Sequence, residues 1–257
     1  MTAAMPTAAT WSTDIAEIPK LGHAEAMTLA ETEFGRMVEL LRQLRAEDWQ
    51  RPTVCTLWRV REMAAHVVGM AEAQASFRQF VHDFRAAGRR SGGAMIDALN
   101  ATQVRDRADL TPAQLVDRLA GVTVRAVRAR RRTPALMRNA LRFKQDPPFE
   151  AERWPYGFLV DTIFTRDTWM HRLDISRAIG REMVATPEHD GRLVAGVVAE
   201  WALRHGQPCT LSLTGPAGGE WHAAGGGERI DLDAFEFCWT VSGRAPGAGL
   251  LATQVPF

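Results

Sequence analysis

The sequence predicts an α+β fold, with an N-terminal four-helix bundle followed by a small C-terminal α/β domain. Up to about residue 183, apolar residues recur at spacings of three and four along four long segments, which is the period of a helix packed on one face. Beyond that point, glycine-rich turns separate short segments in which apolar and polar residues alternate, as they do in strands. We therefore expect a bundle domain over residues 1–183 and an α/β domain over residues 184–257.

The four long helices of the predicted bundle differ in how clearly the sequence marks their ends. The third has a strong start, because Thr111 is suited to cap the helix and Pro112 to occupy its first position. The fourth ends at Gly180, and glycine is typical just past a helix C-terminus. The predicted helices span residues 22–45, 59–87, 112–132 and 158–180.

The predicted α/β domain combines two helices with three strands. Residues 187–204 and 233–240 have helical spacing, and Asp233 is suited to cap the second of these helices. Three strands are predicted, separated by glycine-containing turns, at residues 208–214, 220–224 and 229–232.

The overall composition excludes several classes of protein. Hydrophobic residues make up 46% of the 257 residues, charged residues make up 24%, and the formal net charge is +1, so nothing favours nucleic acid or a membrane as a partner. No apolar run reaches the roughly 18 residues that a membrane helix needs. Cys55, Cys209 and Cys238 form no CxxC pair, which argues against a disulfide framework or a thiolate zinc site. Residues 1–12 do not resemble a signal peptide and are expected to be disordered, and a cytoplasmic location is expected.

Three polar residues on the apolar faces of predicted helices form a candidate metal site: His66, Asp167 and His171. Asp167 and His171 are four residues apart, so one helix presents both side chains on the same face, and His66 comes from another helix. A buried carboxylate is costly unless it is compensated, and two imidazoles with a divalent cation would compensate it. Two histidines and one carboxylate leave coordination positions open, as in catalytic metal sites.

Spacing alone leaves other roles open for these residues. His66 can be a core histidine with its hydrogen bonds satisfied, and Asp167 can pair with Arg166 or Arg172 at a helix surface. Asp174 continues the face of Asp167 and can orient the second histidine of the set, or it can pair at the helix surface instead.

Three blocks of sequence carry a resemblance to a known family. The first block consists of Asp48-Trp49, Arg51-Pro52-Thr53, Cys55, Trp58, Val60-Arg61-Glu62 and Ala65-His66-Val67-Val68-Gly69. The second block is residues 165–175. The third block consists of Trp239, Ser242-Gly243-Arg244 and Pro256-Phe257. The first two blocks resemble the metal-ligand regions of the mycothiol-dependent maleylpyruvate isomerase-like family, which belongs to the DinB-like superfamily of metal-binding four-helix bundles. The third is similar to the small C-terminal domain of many members.

The resemblance implies a ligand set and a cofactor. The family's ligands are one histidine and, on another helix, a carboxylate four residues before a second histidine; here these positions are His66, Asp167 and His171. The characterised isomerase pattern has Glu at the carboxylate position, and Asp167 is one methylene shorter. In the family the metal holds mycothiol, a small thiol that loses its proton near neutral pH when a cation binds its sulfur. The resemblance thus implies a divalent metal (zinc first, with nickel, iron or manganese as alternatives) and mycothiol as thiol cosubstrate.

The hypothesis that follows is a metal- and mycothiol-dependent isomerase or thiol S-transferase that acts on a small unsaturated acid. Arg244 matches an arginine of the family's C-terminal domain and is the candidate catalytic residue that would bind the substrate carboxylate, although it can equally be a surface arginine at a helix end. The alternative is a non-catalytic metal or small-ligand-binding protein on the same bundle. A nucleic-acid-binding role for the basic residues between Arg125 and Lys144 fits the neutral net charge poorly. The sequence leaves homodimerisation open.

Overall fold

The computed structural model describes residues 12–89 and 94–257, and its contacts group the chain into two units. The bundle unit comprises Leu21–Met183 together with the C-terminal Phe257. The sheet unit comprises Val184–Pro256 together with the described residues up to Lys20. The prediction that residues 1–12 are disordered falls on residues 1–11, which lie outside the described residues, and on Ser12.

Eight helical segments make up most of the bundle unit within the described residues. A π turn at Leu159–Ile163 connects the seventh to the eighth, and a short hairpin pairs Arg142–Lys144 with Arg153–Pro155. The helices are α1 (His23–Arg42), α2 (Val60–Ala75), α3 (Phe77–Gly88), α4 (Met95–Arg105), α5 (Pro112–Arg131), α6 (Ala135–Ala140), α7 (Tyr156–Phe158) and α8 (Phe164–Ala178).

The four long helices α1, α2, α5 and α8 pack as a ring around one core. α2 and α1 both contact α5, and both also contact α8, so each helix has two neighbours. The core side chains with little or no exposure include Met27, Phe34, Met63, Leu119 and Ile175. Each side chain of this size stabilises the fold by about 1.5–3 kcal/mol when it is fully buried. The predicted four-helix bundle is therefore confirmed.

The predicted second helix is divided in the structure. The apolar spacing runs without interruption from residue 59 to residue 87, but the backbone is extended at Ser76, with φ −143° and ψ 115°. The hydroxyl of Ser76 accepts a hydrogen bond from the backbone N–H of Gln79 at 3.3 Å, so it caps the start of α3. The capping hydrogen bond of Ser76 favours the start of a new helix. This local effect outweighs the apolar periodicity, which would continue α2.

Gly69 allows α4 to pack closely against α2. A Cβ atom at this position would lie 2.6 Å from Cβ of Gln103 and 2.9 Å from Nη1 of Arg107. Backbone and side chain must therefore shift if any larger residue is introduced.

Gly69→Ala is expected to lower the free energy of unfolding by about 1–3 kcal/mol, because overlap in a packed interior outweighs the gain in helix propensity. Gly121→Ala is the matched control, since Gly121 lies in α5 with no atom within 4 Å of the added Cβ, and it should be neutral or slightly stabilising. Urea unfolding of both variants measures the difference, and equal effects would show that the contact with α4 is not tight.

The sheet unit contains a four-stranded mixed sheet and two helices, α9 (Arg192–His205) and α10 (Ala234–Val241). Cys209–Thr214 lies at its centre, antiparallel to Gly219–Ala223 and parallel to Glu228–Asp233. Alternate residues of the central strand are buried, which is the pattern that the sequence predicts for a strand with one buried face. The small C-terminal α/β part is therefore confirmed as part of the fold class.

The short strand Thr13–Asp14 completes the sheet by pairing in parallel with Gly219–Ala223, where Thr13 lies opposite Trp221. The sequence predicts these residues as part of the bundle domain, whereas the pairing places them in the sheet unit. A strand of two residues is too short to show alternation, so its partner is decided by tertiary structure. No helix among the described residues is long and apolar enough to span a membrane.

Candidate metal centre

His66 is presented by α2 from the buried side of the helix. At the start of the helix, the backbone N–H of Arg59 donates to the carboxylate of Glu62 at 3.0 Å. The apolar face of the helix is directed into the bundle, and His66 lies beside the fully buried Met63 and Val67. The exposure of His66 is only 2%. A polar ring in this position needs a partner inside the bundle.

Asp167 and His171 are presented by α8. Their spacing of four residues places them on one face of the helix, and α8 packs against α2, which brings them opposite His66. The side chain of His171 is 7% exposed, whereas that of Asp167 is 21% exposed. The group therefore lies at the edge of the bundle core and is open to solvent on the side of the carboxylate.

The distances among these three side chains suit a single bound cation. Nε2 of His66 lies 3.6 Å from Oδ2 of Asp167, and Nε2 of His171 lies 3.4 Å from Oδ1 of the same carboxylate. One ligand atom from each residue lies within 4.8 Å of the other two. Two ligands that bind one tetrahedral zinc ion at about 2.1 Å are separated by about 3.4 Å. The shorter Asp167 thus reaches both imidazoles at the separation expected of metal ligands.

An unpartnered buried atom gives independent support for this fit. Oδ2 of Asp167 has no hydrogen-bond partner among the described residues, although it is buried, and neither does Nδ1 of His66. The distance of 3.6 Å between Asp167 and His66 is too long for a hydrogen bond. A cation bound by Nε2 of both histidines would give the free carboxylate oxygen its partner, so the residues fit the metal that the sequence analysis expects.

The charges of the group perturb two pKa values in opposite directions. Burial would by itself raise the pKa of the Asp167 carboxyl, but the positive charge and close contact of His171, together with the contact of His66, outweigh burial and hold the pKa below its ordinary value. Burial would likewise lower the pKa of His171, but the charges of Asp167 and Asp174 raise it to about 9. Without a metal, His171 is therefore protonated at neutral pH and stabilises the carboxylate.

Metal binding is expected to release about one proton per chain between pH 7 and pH 9, because His171 must lose the proton on Nε2 before that atom can bind a metal. The apparent affinity should rise by up to tenfold per pH unit in this range and level off above pH 9, where the proton is already lost. Isothermal titration calorimetry of zinc binding in buffers of different ionisation enthalpy measures the proton release. Release of no proton at pH 7 would contradict the combination of a protonated His171 in the metal-free chain and its binding to the metal through Nε2.

Asp174 orients His171 from the inner side of α8. Its Oδ2 accepts a hydrogen bond from Nδ1 of His171 at 2.9 Å, and its side chain is fully buried. This bond keeps a proton on Nδ1 and directs Nε2 toward Asp167. Of the two roles that the sequence left open for Asp174, the structure shows the orienting contact.

Asp174→Ala is expected to lower the affinity for a divalent ion by about 10- to 100-fold, because the ring of His171 loses its orientation and its Nε2 becomes less basic. Asp117→Ala removes the same charge from an exposed position of α5 and serves as the control. Competition with a chromophoric chelator measures both affinities. Similar affinities in the two variants would mean that the hydrogen bond does not support the site.

Trp58 covers the two histidines, and the sequence analysis did not include it in the site. Its ring centroid lies 5.0 Å from that of His66 and 6.2 Å from that of His171. The loop is held close by Thr53, whose hydroxyl donates to the carbonyl of Trp58 at 2.8 Å. The position of Trp58 beside the imidazoles indicates that it shields them from water.

A second group of possible ligands in the bundle unit is less suited to a cation. His82, Asp83 and Asp106 also offer ligand atoms within 4.8 Å of one another. However, Nε2 of His82 already pairs with Asp106 at 2.7 Å, and Arg105 donates to the same carboxylate at 2.9 Å. The positive charge of Arg105 and the existing pair of His82 with Asp106 both disfavour a cation here. The group of His66, Asp167 and His171 is therefore the stronger candidate.

Arg244, the predicted catalytic residue, belongs to the sheet unit. It follows α10, where its guanidinium lies 6.0 Å from the ring centre of Trp239 and its backbone N–H donates to the carbonyl of the same residue at 3.1 Å. A cavity of about 330 Å³ opens beside it, lined also by Gly243 and Gln254. The arginine is half-buried rather than fully exposed at the helix end.

Comparisons with known proteins agree with this architecture. Residues 30–176, more than half of the chain, match the family model described as the mycothiol maleylpyruvate isomerase N-terminal domain. A crystal structure of the mycothiol-dependent maleylpyruvate isomerase is 18% identical, with a TM-score of 0.54, and a crystal structure of a mutant of that enzyme is 17% identical, with a TM-score of 0.55. Each similarity covers 91% of this chain and 92% of the other, and at these identities it shows the fold. A search of curated proteins found no match.

Proposed function

Because the chain belongs to the mycothiol maleylpyruvate isomerase family through its N-terminal domain, we propose that it is a metal- and mycothiol-dependent isomerase or thiol S-transferase. The proposed substrate is a small electrophilic molecule, an unsaturated acid. Zinc suits the ligand set best, and nickel, iron or manganese can use the same nitrogen and oxygen atoms.

The observation that carries the proposal is the spacing of the three ligand atoms. Two imidazole nitrogens lie 3.4 and 3.6 Å from the oxygens of one carboxylate, one of which has no hydrogen-bond partner among the described residues. Three protein ligands leave a fourth position open, and an open position is what a thiol cosubstrate requires. A structural metal would instead be enclosed by four protein ligands.

The residues around the site have distinct tasks in this proposal. A bound divalent ion would lower the pKa of a coordinated thiol, so that the thiolate is available to attack an activated double bond. Asp167 supplies negative charge on the exposed side of the site. Asp174 holds the proton on Nδ1 of His171, so that Nε2 of the same ring is directed toward Asp167. Trp58 excludes water from the two imidazoles. Arg244 is proposed to bind the substrate carboxylate.

The test is steady-state turnover of maleylpyruvate and related cis-unsaturated acids by the zinc-reconstituted protein. The proposal predicts turnover that requires both the metal and mycothiol, and no turnover by His171→Ala. If the parent binds one metal ion per chain but converts none of these acids and transfers mycothiol to none of them, the non-catalytic binding protein becomes the better account.

A further inference from the structure

Arg130 is a buried cation that the proposed mechanism does not use. It lies at the end of α5 with an exposure of 3%, and it forms no ion pair within 4.0 Å among the described residues. Burial lowers the pKa of its guanidinium to about 10, which still leaves it charged at neutral pH. Asp161 attracts this charge from beyond 4.0 Å, but a buried cation without a directly paired carboxylate is still costly, so the contacts that Arg130 does make need an explanation.

All contacts of its guanidinium fall on the π turn and on the first residues of α8. Nε and Nη2 of Arg130 both donate to the carbonyl of Val160, the former at 3.0 Å, and Nη2 also donates to Oγ1 of Thr165 at 2.7 Å. The guanidinium lies 5.8 Å from the ring centre of Phe164. Nη1 has no partner among the described residues.

The π turn explains why the carbonyl of Val160 accepts these bonds. The backbone N–H of Phe164 donates to the carbonyl of Leu159, five residues back, instead of the usual four. When a helix returns from this wide spacing to α spacing, one carbonyl is passed over. The N–H of Phe164 thus bypasses the carbonyl of Val160, and Arg130 donates to this buried acceptor instead.

The extra residue of the π turn sets the direction in which the metal ligands point. One residue corresponds to about 100° of rotation around a helix axis. If residues 159–163 returned to α spacing, Asp167 and His171 would be rotated by about 100° relative to the residues before the turn, where Tyr156 packs against the bundle core. Either the two ligands would turn away from His66, or the preceding residues would leave the core.

We propose that Arg130 is a positioning residue, which clamps the π turn through Val160 and Thr165 and thereby fixes the rotation of α8 that directs Asp167 and His171 toward His66. The inference rests on the proposed function in that it takes these residues as metal ligands. It assigns to a residue of α5 the task of aligning ligands on α8.

The test compares Arg130→Met with Leu119→Ala, which removes a fully buried side chain from the same helix without touching the π turn. Arg130→Met should lower the zinc affinity by about 10- to 100-fold and change the absorption spectrum of bound cobalt, whereas Leu119→Ala should lower stability and keep both affinity and spectrum. Parent-like affinity and spectrum in Arg130→Met, or an equal loss in Leu119→Ala, would overturn the proposal. If Arg130→Met does not fold, Thr165→Val removes a single clamp contact and should show a smaller change in the same direction; parent-like affinity and spectrum in Thr165→Val would then overturn it.

A readout without metal separates this proposal from the proposed function. Amide hydrogen exchange of Phe164 and Thr165 in the metal-free chain should be faster in Arg130→Met, or in Thr165→Val if that variant is used, than in Leu119→Ala under conditions of equal global stability. Equal exchange would exclude the clamp. Failure of the parent to bind any metal would refute the proposed function, while faster exchange would still support a clamp on the π turn.

Discussion

His66→Ala is expected to lower the affinity for a divalent ion by more than the roughly 100-fold that loss of an orienting residue such as Asp174 can cause. The variant removes one of three ligands, and the remaining pair, Asp167 and His171, lies on a single helix. The ring is almost fully buried, so alanine also leaves a space that water can enter. Chelator competition measures the affinity, and thiol-dependent turnover should disappear with it.

His82→Ala is the matched control for this prediction. It removes an imidazole from the same unit, and His82 belongs to the other group of possible ligands, with Asp83 and Asp106. Parent-like affinity in His82→Ala together with the loss in His66→Ala would locate the ion between α2 and α8. The reverse result would mean that the ion binds the second group and that His66 is a core histidine.

Arg172→Met is expected to have the largest effect on stability, with a loss of about 3–5 kcal/mol in the free energy of unfolding. Nε and Nη2 of Arg172 donate to the two carboxylate oxygens of Glu33 at 2.7 and 3.1 Å, and the two side chains are only 2% and 1% exposed. Without the arginine, the carboxylate of Glu33 loses its bidentate partner inside the protein. The cost arises from that charge more than from the lost attraction.

Two further variants test the origin of this loss. Arg125→Met changes an exposed arginine of α5 and should alter stability by less than about 0.5 kcal/mol. The double variant Glu33→Met/Arg172→Met should be more stable than Arg172→Met, because the buried carboxylate that Arg172 binds is removed together with the arginine. Chemical denaturation measures all three. A double variant that is less stable than Arg172→Met would contradict the buried charge of Glu33 as the origin of the loss.

The sequence predicts the parts of the site that depend on local spacing. Asp167 and His171 share a face because they are four residues apart, and His66 lies on an apolar stripe. These local patterns are enough to identify the three residues as candidate metal ligands. The bundle follows from the same periodicity. The three candidate ligand residues do come together in the structure, at separations that suit a metal.

Other features depend on tertiary contacts that no local pattern reports. Trp58 faces the histidines because its loop folds back over the bundle, and Arg130 meets Val160 only after α5 and the π turn have packed. The π turn itself leaves no trace in the apolar spacing of the fourth predicted helix. The strand Thr13–Asp14 is likewise defined by its partner in the sheet.

The most direct test of the central claim is the metal content of the purified protein, measured by mass spectrometry beside His171→Ala prepared in the same way. The account predicts about one divalent ion per chain in the parent and little in the variant, and the measurement would also identify the metal. No metal in either protein after reconstitution with zinc or nickel, or equal amounts in both, would contradict the assignment of His66, Asp167 and His171 as a metal centre.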